Sequence, residues 1–168
     1  MRRVVFSILV DNTAGVLSRV SGLFSRRGYN IDSLTVSETE NPAYSRMTIA
    51  VTGDDQILEQ IEKQLAKLED VQEIKELADG ESVCRELILV KVAAGQNDRQ
   101  AIIAVADIFR AKIVDVSLDS MMVELTGNQV KLDAFIKLLD GFEIKELVRT
   151  GVTGLTRGAG DLADYIDD

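Results

Sequence analysis

The 168-residue chain has no histidine, which excludes histidine-based triads, imidazole proton shuttles and the commonest zinc ligand sets. Its single cysteine, Cys84, has no second thiol for an internal disulfide or a multi-cysteine metal site, in keeping with a reducing, cytoplasmic setting. Without an imidazole to act as its base, Cys84 reads as inert, not nucleophilic. Basic charge is also scarce: 19 Lys and Arg face 28 Asp and Glu, for a net charge of -9. Such a field repels a phosphate backbone. Aromatic residues amount to 5%, too few for the stacking platform of an RNA-recognition module. No nucleic-acid partner is therefore expected. Long apolar runs are missing as well. Arg2-Arg3 before Val4–Val10 imitates a signal peptide, but Asp11-Asn12 ends the run far short of a membrane span and no small-residue cleavage site follows. No membrane partner is expected. What the chain does have is 46% hydrophobic residues, enough to fill the core of one ordinary domain or of two small ones.

Those residues follow one pattern, used twice. Residues 3–10 read as a strand, and Asn12-Thr13 opens a helix whose Val16, Leu17, Val20, Leu23 and Phe24 form one stripe. Gly28 stands where a left-handed residue ends a helix. Strands follow over 30–37 and 45–52, separated by a loop holding the only proline, Pro42. Asp54 or Asp55 caps a second helix with Ile57, Leu58, Ile61, Leu65 and Leu68 inward, and 71–77 closes the set. The order is βαββαβ. It recurs as a strand over 85–92, a helix over 98–109, a hairpin over 112–118 and 121–126, a helix over 128–139 and a strand over 142–149. The expected architecture is α+β, two ferredoxin-like βαββαβ sandwiches in tandem. The domains are 1–77 and 85–149, with a small, polar linker at 78–84. A glycine-containing tail, 150–168, is expected outside the compact domains. Split at residue 77, the halves carry 9 basic against 12 acidic and 10 against 16 residues, so neither is basic. Isolated domains of this size bury only roughly 60% of their unfolded surface, and open sheet faces and edges need cover. A homodimer through the first domains is the minimum expected assembly.

The segment from Asp11 to Leu17 joins the first strand to the first helix. Helix-start amides without intrahelical partners, at the positive end of the dipole, seat small anions such as carboxylates. Gly15 in a first turn is unfavourable by about 1 kcal/mol relative to Ala, a cost understandable where a ligand approaches the backbone or where packing is tight. Asn12 is a helix cap by default and a ligand amide as the alternative. Asn30 is by default a turn residue and Ile31 a core residue. The Asp54-Asp55 pair reads as a cap, not a catalytic dyad. The tail glycines lack the Gly-Lys-Ser/Thr of a phosphate loop. No catalytic residue, cofactor site or metal site emerges.

Longer stretches carry a resemblance. Residues 11–20 (Asp11-Asn12-Thr13-Ala14-Gly15-Val16-Leu17-Ser18-Arg19-Val20), 27–36 (with Arg27-Gly28-Tyr29-Asn30-Ile31-Asp32) and Ser45-Arg46-Met47-Thr48-Ile49 resemble an ACT domain. With Phe109–Val116 and Gly151–Gly158 added, nearly the whole chain is similar to the small regulatory subunits of acetolactate synthase. The resemblance implies a cytoplasmic, non-catalytic subunit of branched-chain amino-acid biosynthesis. It would activate a large catalytic subunit and confer feedback inhibition by valine, an allosteric small-molecule ligand. Thiamine diphosphate, magnesium and FAD are expected on that catalytic partner, and no cofactor on this chain. The resemblance also places the effector between two ACT domains, at Asn12, Ala14, Gly15, Val16 and Leu17 of one protomer and Asn30 and Ile31 of its neighbour. The alternative is a free-standing ACT-type sensor governing another pathway or transcription.

Overall fold

The computed structural model describes residues 1–158. They form two units, Met1–Cys84 joined by the segment from Val152, and Arg85–Gly151. In the first, the order is β1 (Arg2–Asp11), α1 (Val16–Arg26), β2 (Ser33–Glu38), β3 (Tyr44–Gly53), α2 (Asp55–Ala66) and β4 (Val71–Glu76). The sheet runs β2-β3-β1-β4 with antiparallel neighbours. Alternation dictates its faces: Val4, Phe6, Ile8 and Val10 on β1 and Met47, Ile49 and Val51 on β3 are buried in one cluster with the stripes of α1 and α2. That cluster is the core.

The second unit repeats the arrangement with β5 (Ser82–Ala93), α3 (Arg99–Phe109), β6 (Lys112–Val116), β7 (Ser120–Gly127), α4 (Gln129–Leu138) and β8 (Ile144–Arg149). Its order is β6-β7-β5-β8. Ile88, Val90, Val92, Met121, Val123 and Leu125 pack with Ile102, Leu132 and Phe135 in a separate core. Phe109 and Phe135 meet edge to face at 5.3 Å between ring centroids. Both units are ferredoxin-like sandwiches, the tandem expected from the sequence. Among the described residues no helix is long and apolar enough to cross a membrane.

Three local expectations change. The helix after β1 begins at Val16, not at Asn12-Thr13, because the Asn12 N–H is taken by the Ala43 carbonyl at 2.8 Å and continues the extended path. The expected linker is a turn closed by the Glu81 N–H on the Ala78 carbonyl, and β5 already starts at Ser82. The expected tail does not project over its described part: β9 (Thr153–Thr156) pairs with β5. Ahead of it, the Val152 N–H donates to Ser33 Oγ at 2.8 Å and its carbonyl accepts from Thr35 Oγ1 at 3.1 Å. Ser33 and Thr35 alternate with the core-packed Leu34, so Val152, 8% exposed, lies on the sheet face turned away from the helices. Hydroxyl-to-backbone bonds hold this segment, and they leave no apolar period in the sequence. The remainder of the expected tail, 159–168, lies outside the described residues.

Candidate functional site

Four residues separate β1 from α1, and Gly15 is the last of them. It is the N-cap of α1 with φ +89°, a left-handed conformation that L side chains resist. Gly15 is thus required by its backbone angle, a reason beyond close ligand approach. No side chain caps this helix, and the first intrahelical bond is the Arg19 N–H on the Gly15 carbonyl at 3.0 Å. The N–H groups of Val16, Leu17 and Ser18 therefore face outward at the positive end of the dipole. α2 is different: Asp54 accepts from the Ile57 N–H at 2.8 Å, the cap the sequence pattern predicts.

Asn12 caps nothing. Its Nδ2 donates to the Pro42 carbonyl at 2.9 Å, which fixes the amide and leaves Oδ1 as the outward acceptor. Ala14 and Gly15 are exposed and Leu17 is 46% exposed. Val16 is 4% exposed with its side chain in the core. It can offer a ligand its amide but not its isopropyl group.

Asn30 and Ile31 follow α1. The helix ends on Arg27 with Gly28 at φ +69°, while the Gly28 and Tyr29 N–H groups return to the Ser25 and Phe24 carbonyls, the two bonds of a Schellman ending. Asn30 Nδ2 donates to Asp32 Oδ1 at 3.2 Å, and Asp32 Oδ2 accepts from Thr52 Oγ1 at 2.7 Å. The Asn30 Oδ1 is thereby left to accept, as in Asn12. Ile31 is half-buried against the core.

Within one chain the two groups do not meet. α1 has 11 residues, roughly 16 Å at 1.5 Å per residue, and separates Asn12–Leu17 at its start from Asn30-Ile31 beyond its end. The sheet agrees: Asp32 N–H bonds to Ala50, which pairs with Val5 near the start of β1, whereas Asn12 follows the far end of β1.

Two groups at the loop escape a reading of the sequence. Arg19 Nε and Nη2 bond Asp70 Oδ2 and Oδ1 at 2.6 and 3.2 Å. The guanidinium holds the Asp70 carboxyl below the usual carboxylate range, and the carboxylate holds Arg19 above its own. The Asp70 carbonyl accepts from the Asp11 N–H at 2.8 Å. Asp70 is 51 residues from Arg19, so no local signal joins them.

Compared with known proteins, residues 6–73 match the family model described as AHAS small subunit-like ACT domain, and residues 85–158 match that of the small subunit of acetolactate synthase. The chain is 52% identical over 156 residues to a probable acetolactate synthase small subunit of Methanothermobacter thermautotrophicus, covering 92% of this chain and 93% of that one. It is 50% identical over 159 residues to the acetolactate synthase isozyme 3 small subunit of Escherichia coli, covering 94% and 97%. The crystal structure of the Thermotoga maritima acetolactate synthase small subunit superposes with a TM-score of 0.85 at 42% identity, over 94% and 99% of the two chains.

Proposed function

The chain belongs to the family of acetolactate synthase small subunits, and from that premise we propose that it is the non-catalytic regulatory partner of a cytoplasmic large subunit. In this reading it raises the activity of that subunit, which carries thiamine diphosphate, magnesium and FAD, and makes it sensitive to valine.

The effector is held between two copies of the first unit. Its carboxylate takes the N–H groups of Val16, Leu17 and Ser18 behind Gly15. Its ammonium takes the Oδ1 atoms of Asn12 from one copy and Asn30 from the other. Its isopropyl group packs on Leu17 and Ile31, with Ala14 at the rim. The observation that carries this reading is the separation of the two groups by the length of α1. A single amino acid reaches both only where the start of one α1 meets the end of another, as a two-fold axis beside the edge strand β2 allows. Occupancy then stabilises one mutual arrangement of the protomers, and inhibition follows to the extent that the effector binds that arrangement more tightly than others.

The test is a thermal-shift comparison of valine, leucine, isoleucine and serine on the full chain, since a ligand of the native state raises apparent stability. A valine-selective rise supports the reading, as does stimulation of a copurified thiamine-dependent synthase. Valine binding without any synthase partner would point instead to a free-standing sensor, and no shift with any of the four would contradict an effector site.

A further inference from the structure

We propose that Arg19 is a positioning residue of the effector site: its ion pair with Asp70 holds the loop from Asp11 to Gly15 in the shape that presents the α1 amides. This rests on the effector reading above. The contacts form a ring. The Asp11 N–H bonds the Asp70 carbonyl, the Asp70 carboxylate takes the Arg19 fork, and the Arg19 N–H takes the Gly15 carbonyl, so both ends of the loop are tied to one residue of the α2–β4 turn. Gln72 Nε2 adds a bond to Asp11 Oδ1 at 2.9 Å. With no side-chain cap on α1, Arg19 and its partner do the fixing that a cap does elsewhere. The fork uses Nε and Nη2 and leaves Nη1, which lies 2.8 Å from where a Cβ on Gly15 would stand. The guanidinium thus bears directly on the left-handed residue behind the amides.

Stability does not account for the pair. The Arg19 side chain is 50% exposed and that of Asp70 16%, and an ion pair whose cation stands in solvent contributes about 1 kcal/mol or less. Nor does the fold require it. Counting four residues from the N-cap, as from Gly15 to Arg19, leads from Asp98 in the second unit to Ile102, a buried core residue. The same sandwich forms there with no ion pair at that position.

The test is calorimetric titration of L-valine into the full chain carrying Arg19→Gln, Asp70→Asn, both together, Arg19→Lys, or Asn30→Ala, each also melted without ligand. Arg19→Gln and Asp70→Asn should each bind valine at least about tenfold more weakly. The double variant should be no weaker than either single one, and Arg19→Lys, a point charge without the fork, should fall between. Ligand-free melting should move by less than about 4 °C. Wild-type affinity in Arg19→Gln and Asp70→Asn, with binding lost in Asn30→Ala, overturns the positioning role and leaves the effector site standing. Wild-type affinity in Asn30→Ala removes the effector site and this inference with it. Affinity loss only in variants whose melting collapses also overturns it, because the pair would then serve the fold.

Discussion

The two units build the same sandwich from unrelated residues, and they differ most where the first strand hands over to the first helix. In the first unit the turn ends on a left-handed glycine, Gly15, tied through Arg19 to Asp70. In the second it ends on Asp98, in the right-handed region with φ -94°, and Gly95 within the turn has open space around it. Neither α1 nor α3 has a side-chain cap, so the missing cap alone does not set the first loop apart. The left-handed residue and the ion pair do. The fold therefore does not demand them, and in the proposed reading they shape the loop beside Asn12 for the effector. Each unit also has an Arg–carboxylate fork, but in a different place. Arg149 binds Glu86 at 2.9 and 3.1 Å between adjacent strands of the second sheet, with the Glu86 side chain 8% exposed. That fork joins sheet neighbours, whereas the one in the first unit joins the first turn of α1 to the α2–β4 turn.

The outer sheet faces differ too. On the first, the chain itself supplies Val152, bonded to Ser33 and Thr35. On the second, Leu89, Lys91, Met122, Glu146, Leu147 and Val148 line an open hollow of about 370 Å³.

The largest expected effect breaks the comparison of the two loops directly. Gly15→Asp should abolish valine inhibition of the reconstituted synthase. An L residue at φ +89° costs about 1–2 kcal/mol, its Cβ meets Arg19 Nη1, and its carboxylate competes with that of the effector. Gly95→Asp, the same change in the second loop, should leave inhibition at wild-type strength. Equal loss in both variants would erase the distinction between the units. A smaller effect sharpens the comparison at the helix ends. α1 is followed by Gly28 at φ +69°, and α3 ends on Arg110 at φ +58°, the one non-glycine residue at positive φ among those described. Gly28→Ala should destabilise by about 1 kcal/mol, since nothing lies within 4 Å of a Cβ there. Arg110→Gly should stabilise by about 0.5 kcal/mol, the relief of left-handed strain of roughly 1–2 kcal/mol exceeding the extra unfolded-state entropy of glycine. Denaturant titration reads both signs.

The repeated fold was legible because its signals are local. Val20, Leu23 and Phe24, or Leu58, Ile61 and Leu65, mark a buried helical face by spacing alone. Gly28 and Asp54 announce an end and a start through chemistry confined to a few residues. The loop was only half legible. Its position and its glycine stand out, but the conformation of Gly15, the tie of Asn12 to Pro42 and the Arg19–Asp70 pair come from contacts across the fold. Between Val152 and Ser33 the separation is 119 residues, and nothing in either neighbourhood names the other. Val16 shows the opposite failure: the resemblance nominates the residue, while the structure divides it into an outward amide and a buried side chain.

The central claim, that each effector molecule is gripped by two chains, is tested most directly by mixing. Chains carrying Asn12→Ala and chains carrying Asn30→Ala are each expected to lose valine binding as homodimers. After unfolding and refolding together, a mixed dimer has one site with both changes and one site with neither, so calorimetry should recover wild-type affinity at one site per mixed dimer. If the mixture binds valine no better than its two parents, both groups act within a single chain or not at all, and the shared site is contradicted.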